Sequence, residues 1–81
     1  MMNSRQELVN FIIQRLLQIE RDKGVQSSVF GENTSLMNGS VDSLDLAALV
    51  VELQQATNRD PFRNGLVAFD SVGDLAGLYA S

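Results

Sequence analysis

Apolar residues recur at helical spacing in three separate stretches of the chain. In the stretch at about 5–22 they are Leu8, Val9, Ile12, Ile13, Leu16, Leu17 and Ile19. In the stretch at about 43–56 the expected core stripe is Leu46, Leu49, Val50 and Leu53. In the stretch at about 72–80 they are Val72, Leu75, Ala76 and Tyr79. A repeat of three or four residues predicts amphipathic helices. We therefore expect three helices around one core, with these residues buried: Ile12, Leu16, Leu46, Leu53 and Leu75.

Polar residues with capping preferences stand at the start of each stretch. The runs 4–7 and 71–74 each place serine three residues before a carboxylate, which is typical of a capping box. Asp42 or Ser43 can cap the second helix, and Asp45 in its first turn complements the helix dipole. Gly24 is a suitable left-handed residue after the first helix, and Pro61 disfavours helix just before it.

The segments between these stretches differ in character. Residues 24–41 are rich in glycine, serine and asparagine with scattered apolar anchors, which predicts a long ordered loop. Residues 62–69 predict an irregular segment with one short turn of helix. The expected fold is all-α: a small bundle of three main helices plus one short helix, with a long first connection, in a single domain over residues 1–81.

Composition excludes several kinds of chemistry. The 81 residues contain no cysteine and no histidine, so disulfides, thiolate metal sites and His-dependent catalysis are all absent. We find no paired constellation of carboxylates and hydroxyls, and therefore expect a protein that is not an enzyme.

Charge is distributed unevenly along the chain. Residues 1–41 carry four acidic and four basic side chains, whereas residues 42–81 carry six acidic and two basic ones, a net charge of -4. An acidic half argues against binding to nucleic acid or anionic membranes. No apolar run approaches the roughly 20 residues that span a bilayer, and the first residues do not resemble a signal peptide. We expect a cytoplasmic monomer without membrane insertion.

The most informative motif is Asp42-Ser43-Leu44, at the start of the second predicted helix. A serine there has an exposed hydroxyl and lies at the positive end of the helix dipole, where a phosphate is stabilised. With the preceding glycine and the order of helices, this motif resembles the modification site of the acyl carrier protein family, over about residues 5–80. The alternative interpretation of Ser43 is a plain helix cap.

The resemblance implies that Ser43 carries 4'-phosphopantetheine, attached by a phosphopantetheinyl transferase that reads Asp42 and Leu44. It implies further partners: a ligase that loads an acyl or aminoacyl group as a thioester, and downstream transferases. We expect Asp45, Ala48, Val51 and Glu52 to contribute to partner recognition. For Asp45 and Glu52 a solvated helical stripe is the alternative, and for Leu44 a core position.

The sequence differs from that of common fatty-acid carriers at positions that bear on which group is carried. Gly39 lies four residues before the serine, as in D-alanyl and some stand-alone aminoacyl carriers, and the run 49–55 is also similar to those proteins. Positions that are usually acidic in fatty-acid carriers hold Ala48, Gln54 and Gln55. The resemblance therefore favours a specialised biosynthetic pathway. The alternative from another class is an unmodified helical module for protein-protein interaction.

Overall fold

A computed structural model describes residues 4–24, 30–36, 41–65 and 67–80. Within them the protein is all-helical, with three helices and no strand: α1 (Arg5–Asp22), α2 (Ser43–Thr57) and α3 (Val72–Tyr79). The three predicted helices are confirmed, each to within about two residues.

The helix ends follow the local chemistry of the sequence. The Ser4 hydroxyl accepts a hydrogen bond from the Glu7 N–H at 3.5 Å, without the reciprocal bond of a full capping box. Full capping boxes open α2 and α3, at Asp42 and Ser71 respectively. Gly24 has φ +72° after α1, as predicted. The helix α2 ends instead at a left-handed Asn58, before the proline is reached.

The core lies mainly between α1 and α3, with one side of α2 closing it. Its buried apolar members are Leu8, Val9, Ile12, Leu16, Leu36, Leu49, Leu53, Val72, Leu75, Ala76 and Tyr79. Four of the five predicted core positions are therefore confirmed. The prediction for Leu46 is wrong, because this side chain is only partly buried and faces a cleft. Burying each leucine, isoleucine or valine of this core contributes about 1.5–3 kcal/mol to folding stability.

The connection between α1 and α2 is described only in part. Residues 30–36 cross the start of α3, where the N–H of Leu36 donates to the Asp70 carbonyl at 2.7 Å and the N–H of Val72 to the Thr34 carbonyl at 3.0 Å. These bonds form an isolated antiparallel bridge between Ser35 and Ser71. The rest of the predicted long loop, including Gly39, lies outside the described residues.

Gly73 allows this close crossing. Its N–H donates to the Glu32 carbonyl at 2.7 Å, and a Cβ at position 73 would lie 3.1 Å from that same oxygen and 2.5 Å from Arg5 Nη2. The Arg5 guanidinium forms an ion pair with the Glu32 carboxylate over the crossing. The absence of a side chain at 73 thus lets the loop, α1 and α3 meet at one point.

The additional short helix is not confirmed. Residues 61–64 form hydrogen-bonded turns, in which the Arg63 N–H donates to the Asp60 carbonyl and the Gly65 N–H to the Phe62 carbonyl. Gly65 has φ +131°, a value that does not continue a helix. The described part of the segment therefore passes from turns to irregular structure before α3.

Candidate functional site: the start of α2 and the cleft beside it

Ser43 is the first residue of α2, and the residue before it performs the capping. The Asp45 N–H donates to Asp42 Oδ1 at 2.9 Å, and the Asp42 N–H donates to Asp45 Oδ2 at 3.2 Å. This reciprocal pair decides between the two caps that the sequence allowed: Asp42 is the cap. Ser43 is exposed, and its hydroxyl has no hydrogen bond to any of the described residues. The hydroxyl is therefore available for chemistry without loss of the helix start.

Arg15 of α1 and Lys23, which follows the last residue of α1, form ion pairs along one edge of α2. Lys23 Nζ lies 2.5 Å from Asp45 Oδ2 and 3.5 Å from Asp42 Oδ2. Arg15 Nη2 donates to Glu52 Oε2 at 2.9 Å, and Arg15 Nε lies 2.7 Å from Oε1 without the angle of a second hydrogen bond. The carboxylates of Asp45 and Glu52 are thus already neutralised within the chain.

The contact between Lys23 and Asp45 changes the pKa of both side chains. The hydrogen bond from Lys23, and then the bond from the Asp42 backbone, hold the pKa of Asp45 below its ordinary value of 3.8. The same hydrogen bond to Asp45, with the nearby Asp42 charge, raises the pKa of Lys23 above 10.5. Both groups are therefore charged at neutral pH, and the pair persists there.

The outward face of α2 carries no charge over its first three turns. Leu44 is 80% exposed and Val51 is 52% exposed, with the exposed Ala48 between them. The core interpretation of Leu44 is therefore wrong, because this side chain points to solvent. Gln54 and Gln55 are exposed at the end of the helix, at two of the positions that are acidic in common fatty-acid carriers.

An open apolar cleft of about 360 Å³ lies beside α2, with Ser43 in its lining. Its lining residues are Ser43, Leu46, Ala47, Val50, Phe62 and Phe69. The two phenylalanines pack edge to face with ring centroids 5.9 Å apart, and Phe62 also contacts the buried Tyr79 ring at 6.4 Å. This volume lies within the range of about 300–1,000 Å³ that is usual for small-molecule sites.

The helical periodicity explains how α2 serves these three purposes. At about 100° per residue, the ion-paired edge (Asp45 and Glu52) lies opposite the cleft edge (Ser43, Ala47 and Val50). The outward apolar face lies between these two edges. The predicted site residues therefore lie on different faces of α2, with Asp42 capping the helix. They are Ser43 on the cleft edge, Leu44, Ala48 and Val51 on the outward face, and Asp45 and Glu52 on the ion-paired edge.

Sequence reasoning missed the two cleft phenylalanines and the two cations. Phe62 and Phe69 flank the irregular segment after Pro61. Two aromatic residues there could have indicated that the segment packs against an apolar surface. In the structure Phe69 lines the cleft and Ser71 caps α3 through a hydrogen bond to the Asp74 N–H at 3.0 Å.

The described residues contain no group of three or more potential metal-ligating acidic side chains. None of the helices is long and apolar enough to cross a membrane, as judged over the same residues. No protein-family profile, curated protein or solved structure matches this chain. Any functional conclusion therefore rests on the residues and on the geometry around Ser43.

Proposed function

We propose that the protein is a carrier that holds acyl or aminoacyl groups as thioesters on a 4'-phosphopantetheine arm attached to Ser43. The observation that carries the proposal is that Ser43 is exposed, does not perform the capping, and lines an apolar cleft. A helix start also stabilises the phosphodiester through its dipole and its free amide groups.

The modification is a phosphoryl transfer. The Ser43 oxygen attacks the pantetheine-side phosphorus of coenzyme A, and the bond from that phosphorus to the bridging pyrophosphate oxygen breaks. The leaving group is adenosine 3',5'-bisphosphate, and the serine proton passes to a base of the transferase or to water. The protein itself needs no catalytic group, because the thiol chemistry belongs to the cofactor and to partner enzymes. Tethering raises the effective concentration of the cargo at each partner.

The surface of α2 supports a specialised pathway over a standard fatty-acid synthase. Ala48, Gln54 and Gln55 are exposed and uncharged. Asp45 is paired with Lys23, and Glu52 is paired with Arg15. Charge-driven docking to a basic partner surface is thus weak. Contacts through Leu44, Ala48 and Val51 contribute more, and binding of the protein's own partners weakens only modestly with salt.

The proposal is tested by intact mass after incubation with a promiscuous phosphopantetheinyl transferase and coenzyme A. We expect one phosphopantetheine addition to the wild type and none to Ser43→Ala. Addition to Ser43→Ala, or none to a folded wild type, would contradict the assignment. In elongation assays, the modified protein should be a poor substrate of a standard fatty-acid synthase. Turnover comparable to that synthase's native carrier would argue against the specialised pathway.

A second function is favoured by the exposure of Leu44 and Val51, since paired apolar side chains in solvent also mark interaction surfaces. In that case the protein is an unmodified helical module, and the wild type gains no mass with any transferase. Substitution of Ser43 by alanine would then leave partner binding unchanged. The two functions are separated by the mass measurement alone.

A further inference from the structure

Among the described residues, Lys23 contacts both acidic residues of the α2 capping box. Its ammonium lies 2.5 Å from one Asp45 oxygen and 3.5 Å from one Asp42 oxygen. The other oxygen of Asp42 accepts the Asp45 N–H that starts the helix. Lys23 stands at the end of α1, so this contact joins the end of one helix to the start of the next.

The position of Ser43 makes this charge balance relevant to its chemistry. Ser43 lies in the same helical turn as Asp42 and Asp45, so both carboxylates contribute to the electrostatic field around its hydroxyl, although Asp45 stands on the opposite edge of α2. Lys23 offsets one of these two charges, leaving a net charge of about -1 for the three groups at neutral pH. The remaining charge is opposed by the positive end of the α2 dipole.

We infer that Lys23 is a positioning residue for the modification of Ser43, which lowers the electrostatic barrier to an approaching coenzyme A pyrophosphate. The inference rests on the proposed carrier function. The reaction is the transfer described above, with attack by the Ser43 oxygen and departure of adenosine 3',5'-bisphosphate. Lys23 does not take part in bond making; it acts through Asp42 and Asp45 on the field that the polyanionic donor meets.

The size of the effect follows from Coulomb's law. Two unit charges roughly 10 Å apart in water have an interaction energy that, if it is lost from the transition state, changes a rate about twofold. Coenzyme A carries several negative charges, so removal of the Lys23 charge should slow the reaction about five- to tenfold at low salt. The Debye length falls from about 30 Å at 0.01 M to 3 Å at 1 M, so high salt should reduce the loss to below about twofold.

The experiment compares kcat/KM for phosphopantetheinylation of the wild type, Lys23→Met and Lys23→Arg at about 10 mM and about 500 mM salt. Lys23→Met keeps the aliphatic length of the side chain, and Lys23→Arg keeps its charge. The matched control is Arg21→Met, which removes a positive charge from an exposed position in the same turn of α1, away from the capping box. Each rate is taken as a ratio to the wild type at the same salt, so that general effects of salt on the transferase cancel.

The double variant Lys23→Met with Asp45→Asn distinguishes charge from structure. An asparagine oxygen can still accept the Asp42 N–H, while the uncompensated carboxylate is gone. We expect Lys23→Met to be slow only at low salt, the double variant to regain most of the wild-type rate, and Lys23→Arg to stay near it. Arg21→Met should lose less of the rate than Lys23→Met at low salt, because Arg21 makes no ion pair with Asp42 or Asp45. Circular dichroism verifies that every variant is helical.

Three results would overturn the inference while leaving the carrier function intact. They are a Lys23→Met rate equal to or above the wild type, a loss that does not change with salt or with Asp45→Asn, and an equal loss in Arg21→Met. A wild type that gains no phosphopantetheine would instead remove the carrier function and the role of Lys23 together.

Discussion

Asp42 and Ser43 are adjacent in the chain but have different roles at the start of α2. Asp42 stabilises the helix start, and the Ser43 hydroxyl remains available for modification. Asp42 supplies the side chain of the α2 capping box, with its two hydrogen bonds of 2.9 Å and 3.2 Å. Replacing an N-cap aspartate by alanine costs about 0.5–2 kcal/mol. Ser43 is exposed and makes no hydrogen bond to the described residues, so Ser43→Ala should stay within about 0.5 kcal/mol of the wild type.

In a domain of this size, 1 kcal/mol corresponds to about 4–8 °C in Tm. We therefore expect Asp42→Ala to lower Tm by about 2–16 °C and Ser43→Ala to leave it within about 4 °C, as followed by helical circular dichroism. Asp42→Asn is the matched control, because asparagine caps as well as aspartate, and it should resemble the wild type at neutral pH. The reasoning is refuted if Ser43→Ala is as destabilised as Asp42→Ala. If it holds, loss of modification in Ser43→Ala is chemical in origin.

Three further predictions concern packing and titration. Gly77→Ala should raise the free energy of unfolding by about 0.5–1 kcal/mol, because alanine has the higher helix propensity. Gly73→Ala should lower it by about 1 kcal/mol, because the added Cβ overlaps the crossing loop. Urea denaturation measures whether the two substitutions change the free energy of unfolding in opposite directions. Leu53→Ala, at a fully buried position, should cost about 2–5 kcal/mol, and Leu44→Ala less than about 0.5 kcal/mol; equal costs would mean that the faces of α2 are misassigned. Hydrogen bonds from the backbone at the start of α3 hold the pKa of Asp74 below 3.8. The contribution of this carboxylate to folding stability is therefore present above pH 3.8 and is lost as the pH falls through the folded-state pKa. Asp74→Asn should make the free energy of unfolding depend less on pH in the acid range.

The helices and their caps could be predicted because they depend on neighbouring residues. Ser4, Asp42 and Ser71 each lie three residues before a carboxylate, and that spacing at the beginning of an apolar repeat indicates the start of a helix. The apolar repeat likewise located most of the core. Such features need no knowledge of where the rest of the chain passes.

The features that the sequence did not reveal depend on contacts between distant segments. Leu46 lines a cleft because Phe62 and Phe69 stand opposite it, and their placement follows from turns that local propensity predicted as a short helix. The pairing of Arg15 with Glu52 spans 37 residues of sequence, so the same carboxylate was equally compatible with a free partner-binding role. Distances of this kind are set by tertiary packing.

The helix α3 has eight residues, and five of them are buried: Val72, Gly73, Leu75, Ala76 and Tyr79. Its main partner is α1, from which it is separated by the whole of α2 and both connections. During translation, the core therefore cannot close while α3 is still inside the ribosome, even after α1 has emerged. The nascent chain must keep the apolar faces of α1 and α2 exposed until then, and it folds only as a whole after Tyr79 is released. A ribosome-tethered chain extended step by step past residue 80 would show protection from proteolysis appearing in one step rather than helix by helix.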